Sequence, residues 1–243
     1  MTVQRPDPVH DTAAVAEATA HAIDTVAALP EGALAGPSLL PGWTRGHVLT
    51  HLARNADGFV NLLTWARTGD ETPMYGEAGA RDRAIEQGAG RPREEQLADL
   101  RAAADRLAQA VAALPPSAWA AQVALRGGRV VAAAEIPWRR LIELRLHTVD
   151  LDAGVGCADL PADFAARELA WVLDGLCGHE GVAAVRLHDT SSGEKWTAGA
   201  AAEPEVTVAG DTAALVAWVT GRSAGEGLTA DPPGPLPVLP PLG

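Results

Sequence analysis

Glu143 and His147 stand four residues apart in Leu141-Ile142-Glu143-Leu144-Arg145-Leu146-His147. On a helix that spacing puts both side chains on one face. His51 lies far upstream, in Gly42-Trp43-Thr44-Arg45-Gly46-His47-Val48-Leu49-Thr50-His51. Two imidazoles and a carboxylate brought together can hold a divalent metal, and three protein ligands with an open position form the pattern of a catalytic zinc site. An isolated Glu-x-x-x-His is as readily a solvated helix pair, so the surroundings must decide.

The helices that carry these residues are unusual. At about 100° per residue, Ile136, Arg139, Arg140, Glu143, His147 and Asp150 fall on one stripe. Ile142, Leu146, Val149 and Ala153 wall it on one side, Leu144 and Leu151 on the other, while Arg145 and Asp152 are expected to face water. A surface helix has one apolar and one polar sector; a polar stripe walled on both sides suits a helix lining a wet interior pocket. Thr44, His47, His51, Asn55, Gly58, Leu62 and Trp65 form a matching stripe between Val48, Leu52, Phe59 and Leu63. His47, one turn before His51, is assigned a structural or supporting role, and Asp150 is a candidate partner for His147.

In these segments the chain resembles the mycothiol-dependent maleylpyruvate isomerases, a branch of the DinB-like metalloenzymes. The resemblance rests on Leu40-Pro41-Gly42-Trp43-Thr44-Arg45 leading to His51, on Thr68-Gly69-Asp70-Glu71-Thr72-Pro73-Met74-Tyr75, on Glu143-x-x-x-His147-x-x-Asp150-Leu151, and on Gly221-Arg222. It implies zinc at His51, Glu143 and His147, and roles in activity for Arg81 and Arg222. It also implies mycothiol as a thiol cosubstrate and reversible thiolate addition to maleylpyruvate, an anionic, unsaturated small molecule of gentisate breakdown. A mycothiol S-transferase for another electrophile and a noncatalytic metal-binding protein are the alternatives.

The rest of the chain must position these groups. In its 243 residues nearly half are apolar, enough for a sizeable core. The net charge of −12 argues against nucleic-acid and anionic-membrane partners. An anionic substrate must therefore be met by local arginines, of which there are eighteen beside the single Lys195. Cys157 and Cys177 do not form a Cys-x-x-Cys pair, so two reduced thiols are expected. Met1 to Pro8 lacks the apolar run of a leader and no stretch approaches membrane-spanning length, so a cytoplasmic monomer is expected.

The fold expected is mainly α. Residues 1–156 form a DinB-like four-helix bundle and residues 157–243 a small α+β domain, sterol-carrier-like by resemblance, with a proline-rich tail. Long helices are predicted from Asp11 to Leu29, from Thr44 as N-cap to Thr68, from Pro92 to Leu114, and from Glu135 to Gly154. A short helix carries Arg81, and a hairpin is predicted around Arg126-Gly127-Gly128. In the second domain a helix is expected over Ala162–Cys177, strands over Ala183–His188 and Glu205–Val208, and a helix capped by Asp211 running through Thr220.

Overall fold

In a computed structural model that describes residues 6–200 and 203–240, Pro6–Val155 form one compact unit and the described residues from Gly156 onward another. Residues 1–5, part of the stretch read for a leader, lie outside the described residues.

The first unit is helical. Helix α1 (Pro8–Ala27) begins earlier than expected because Asp7, not Asp11, is its N-cap, accepting from the Val9 and His10 N–H groups. Pro8 takes the first turn, where its missing N–H costs nothing, and Asp11 is buried inside the helix. Helix α2 (Arg45–Thr68) has the expected cap, Thr44, and ends at Gly69 in the left-handed region, φ 81°. Helix α3 (Ala80–Ala89) and helix α4 (Arg93–Ala112) follow. A 3-10 turn (Pro116–Ala120) leads into the antiparallel hairpin β1 (Gln122–Ala124) and β2 (Val130–Ala132), and then comes helix α5 (Ile136–Asp150).

Helix α2 packs on α4 and α5, and α1 packs on α5 and α4, which closes a four-helix ring. Leu49, Leu52, Leu62, Leu100, Ile136, Leu144 and Leu151 are wholly buried in it. Helix α5 stops at Asp150 rather than Gly154 because an arginine holds its end. Arg45 Nε donates to the Leu151 carbonyl at 2.6 Å and Nη2 to that of Asp152 at 2.8 Å, and Asp152 turns the chain with φ 50°. Arg145, expected to face water, is buried 93% of the way, exposing only 7%. Helix α1 covers it and supplies Glu17 at 3.0 Å, a neighbour that the α5 sequence does not foretell.

Helix α3 lies very close to α2. A Cβ at Gly46 would stand 2.1 Å from the Ala89 carbonyl oxygen, and one at Gly88 would stand 2.5 Å from Thr50 Cγ2. Gly58 likewise sits against Met74, the first part of the loop before α3. Three glycines thus let the 70–89 segment lie directly on the helix that bears His51.

The second unit is α+β. A four-stranded sheet has the order β4 (Lys195–Ala198), β3 (Val185–Asp189), β5 (Val206–Gly210), β6 (Thr229–Asp231), with β3 and β5 parallel and both edge pairings antiparallel. Helices α6 (Ala162–Leu176) and α7 (Thr212–Val219) pack on each other, α6 against β4 and α7 against β5. No described helix is long and apolar enough to cross a membrane.

Candidate metal centre

Three ligand-type atoms converge between α2 and α5. His51 Nε2 lies 2.9 Å from Glu143 Oε2 and 3.1 Å from His147 Nε2, and Glu143 Oε2 lies 3.2 Å from His147 Nε2. Among the described residues these three are the group of histidine, cysteine and acidic side chains suited to a metal ion. The i,i+4 spacing on α5 places two of them, and the capped start of α2 fixes the phase of the third.

The surroundings set the proton inventory. Asp150 Oδ2 accepts from His147 Nδ1 at 2.8 Å, which leaves the Nε2 lone pair directed at the cluster. Burial would lower the His147 pKa, but hydrogen bonds to Asp150 and Glu143 outweigh it and raise it. Burial works to raise that of Glu143, yet the two imidazoles hold its carboxyl well below the usual carboxylate range, so it is an ionised acceptor. Burial lowers the His51 pKa to about 4 despite the neighbouring carboxylate, so that ring is neutral at physiological pH. Two neutral-capable imidazoles and a carboxylate, converging on one point, suit a divalent metal of borderline softness.

Of the other residues singled out by sequence, Arg81 joins this cluster: its Nη2 is 3.1 Å from His51 Nδ1 and its Nη1 2.8 Å from Asp82. His47 does not. Its Nδ1 accepts from the Thr44 backbone N–H at 3.2 Å, completing a capping box, and its Nε2 is 3.5 Å from Glu86. Arg140 on the α5 stripe reaches α2, donating to the Leu52 carbonyl and to Asn55 Oδ1, each at 2.8 Å. Arg222 is in the second unit, just past α7. Its half-buried side chain donates to the Thr220 carbonyl at 2.7 Å, and Gly221 before it has φ 75°. Cys157, half-buried, and Cys177, exposed, also belong to the second unit.

Three residues not given a role from sequence complete the site. Trp43 lies with its ring centroid 5.6 Å from that of His51 and 6.1 Å from that of His47, and Arg81 Cζ lies 5.8 Å over its face. Tyr75 engages Arg81 and Asn55 through its hydroxyl; burial, with the Glu143 charge, raises its pKa. A cavity of about 280 Å³ opens beside them, with Trp65, Met74, Tyr75, Arg81, Asp82 and Arg126 among its walls. Tyr75 sits within a quoted motif and Arg126 at a predicted turn, but neither has a periodicity that would aim it at the cluster.

The mycothiol maleylpyruvate isomerase N-terminal domain model matches residues 15–152, which hold His51, Glu143 and His147. The chain belongs to that family. Two crystal structures of the mycothiol-dependent maleylpyruvate isomerase, one of them a histidine-to-alanine variant, are similar to it throughout. Each is 28% identical, the match covers 100% of both chains, and the TM-score is 0.90. No curated protein sequence matches. The family model stops at residue 152, so for α6, α7 and the sheet the likeness rests on the two crystal structures.

Proposed function

We propose that this chain isomerises maleylpyruvate to fumarylpyruvate, with zinc held by His51, Glu143 and His147 and mycothiol as thiol cosubstrate. The observation that carries the reading is the convergence of two imidazole nitrogens and a carboxylate oxygen within 3.2 Å in a member of this family. Ligand atoms at a tetrahedral zinc, about 2.0–2.1 Å from the ion, lie about 3.3 Å apart, so the trio needs to open by only tenths of an ångström. Such a centre keeps a position free for an incoming group and supplies the charge that deprotonates a thiol near neutral pH.

The chain's own residues do the rest. Asp150 orients His147, Glu143 stays ionised, and Trp43 covers His51 on one side. Thiolate addition to the cis double bond leaves a single bond about which the substrate rotates. Elimination then returns the trans isomer and the thiol, so atoms balance with no net consumption of cosubstrate. Arg81 and Arg222 are the guanidinium groups assigned to the substrate carboxylates, which they suit by their two-pronged donor geometry. The thiol comes from outside the chain, so Cys157 and Cys177 are not required. In this reading residues 1–156 bind the metal, residues 157–243 contribute Arg222, and the enzyme works as a cytoplasmic monomer.

The test is an assay of purified protein with maleylpyruvate, with and without mycothiol, following the trans isomer. Thiol-dependent formation of fumarylpyruvate is expected. Mycothiol conjugates of other electrophiles without isomerisation would replace the isomerase with an S-transferase.

A further inference from the structure

The hydrogen bonds around His51 conflict with its role as a ligand, and the conflict identifies a task for Arg81. A guanidinium has N–H donors and no acceptor, so at 3.1 Å from Arg81 Nη2 the His51 Nδ1 must be the accepting nitrogen. A neutral imidazole carries one proton, which therefore sits on Nε2 and is donated to Glu143 Oε2 at 2.9 Å. His147 has the opposite tautomer, with its proton on Nδ1, donated to Asp150. The two imidazoles of one cluster thus carry their protons on different nitrogens.

A metal bound through Nε2 of both rings requires the proton on Nδ1 of both. For His147 the acceptor is already in place. For His51 the group facing Nδ1 is a cation that can only donate, and two N–H groups cannot share that position.

We propose that Arg81 is a latch on the metal centre: it holds His51 in the Nε2–H tautomer, leaves Nδ1 when a divalent metal takes Nε2, and is thereby released to bind a carboxylate of the substrate in the cavity it lines. The carboxylate part rests on the function proposed above; the latch rests only on the metal ligands. Arg81 has somewhere to go. It stands in the first turn of α3, it retains Asp82 and the Tyr75 hydroxyl as partners, and it can turn over the Trp43 ring. The cavity of about 280 Å³ is bounded by Tyr75, Arg81 and Asp82 and by Arg126 of the hairpin turn, a second guanidinium.

No titration is involved. His51 is neutral before and after, since burial holds its pKa at about 4, and one proton leaves Nε2 as one arrives on Nδ1. By linkage, metal and carboxylate favour each other: an anion that keeps Arg81 off Nδ1 raises metal affinity by the factor that metal raises anion affinity.

The test uses the full chain with ¹⁵N-labelled histidine and arginine side chains. In metal-free protein His51 is expected in the Nε2–H tautomer and His147 in the Nδ1–H tautomer, and on zinc titration His51 should switch to Nδ1–H. Arg81→Met should weaken the Nε2–H preference of His51 in metal-free protein, leaving only the Glu143 acceptor at Nε2 to hold it. It should also tighten zinc binding, measured against a chromophoric chelator, by about ten- to a hundredfold, the scale of one charge-assisted hydrogen bond. Maleate, a cis-dicarboxylate, should shift the Arg81 side-chain Nε signal in zinc-loaded protein and leave it in place in metal-free protein.

A metal-free protein with the His51 proton already on Nδ1 overturns the latch. So does an Arg81→Met variant that binds zinc no more tightly than the unaltered chain, and equal maleate shifts with and without zinc overturn the release. Removing a positive charge would by itself tighten zinc binding, which is why the metal-free tautomer is the deciding measurement. None of these measurements uses maleylpyruvate or mycothiol, so a failed isomerase assay leaves the test standing.

Discussion

Asp150 shows how an atom outside the His51–Glu143–His147 cluster can set the chemistry of the atoms within it. Its carboxylate, fully buried, accepts from His147 Nδ1 and so selects the nitrogen that faces the cluster. Asp150→Asn should therefore weaken zinc binding by about ten- to a hundredfold while leaving the fold in place, the usual scale for such partners. Chelator competition with far-ultraviolet dichroism as a fold control measures this, and unchanged affinity would reduce Asp150 to a helix-end contact. His51→Ala and Glu143→Ala should go further, abolishing stoichiometric zinc by elemental analysis of folded protein. Full retention in either would remove that ligand. The convergence of these side chains was legible in the sequence because an i,i+4 pair and a walled polar stripe leave few faces to choose from. Trp43, Tyr75 and Arg126 were not, since the two loops and the turn that carry them obey no period. His47 shares the stripe of His51 yet sits at the third position of α2, where its ring completes the cap instead.

At the scale of elements, closeness of approach does what side chains alone cannot. Helix α3 presents Arg81 to His51 because Gly46 lets the Ala89 carbonyl come within 2.1 Å of where a Cβ would stand. Gly46→Ala must push α3 outward, costing about 1–3 kcal/mol by the measure of overpacked interfaces, and should loosen Arg81 from His51. Urea denaturation checks the first outcome and the His51 tautomer the second; wild-type stability would show that α3 moves freely. In the other unit Asp189, at the end of β3, ties the sheet to α7: its carboxylate accepts from the Ser191 N–H at 2.8 Å, Ser192 Oγ at 2.9 Å and Thr212 Oγ1 at 2.7 Å. Burial works against the charge, but these bonds outweigh it and hold the pKa below 3.8. Because the folded value is the lower one, the stabilisation is present above pH 3.8 and is lost as pH falls through the folded pKa. Asp189→Asn should cost about 1–3 kcal/mol at neutral pH and flatten that acid loss in calorimetric scans. An unchanged acid limb would take Asp189 out of the account. Long periodic helices were legible to within a few residues, whereas β4 and β6, three or four residues each with polar positions, carry too few residues for an alternation to register. Arg145 was misjudged because a stripe on α5 cannot report that Glu17 on α1 will cover it.

For the molecule as a whole the acidic balance poses the problem. On the proposed function a chain of net charge −12 must hold an anion, so any cation spent on it has to act locally, where a low dielectric magnifies its field. Two guanidiniums are assigned that task, and they differ in kind. Arg81 touches His51, so on the proposed function changing it should alter metal binding and substrate binding together. Arg222 belongs to the other compact unit, where it donates to the Thr220 carbonyl at the end of its own helix. If it serves the reaction, its loss should spare the metal. Arg222→Ala is therefore expected to keep one zinc per chain and lower mycothiol-dependent turnover by about two to three orders of magnitude, the scale of losing one group that stabilises developing charge. Arg222→Lys should recover only part of that loss, because an ammonium cannot reproduce the guanidinium fork. Steady-state kinetics beside metal analysis on the same preparations separates the outcomes. Turnover at the unaltered rate in Arg222→Ala would confine the chemistry to the helical unit, and loss of zinc from it would show that the residue acts through the fold rather than on the substrate.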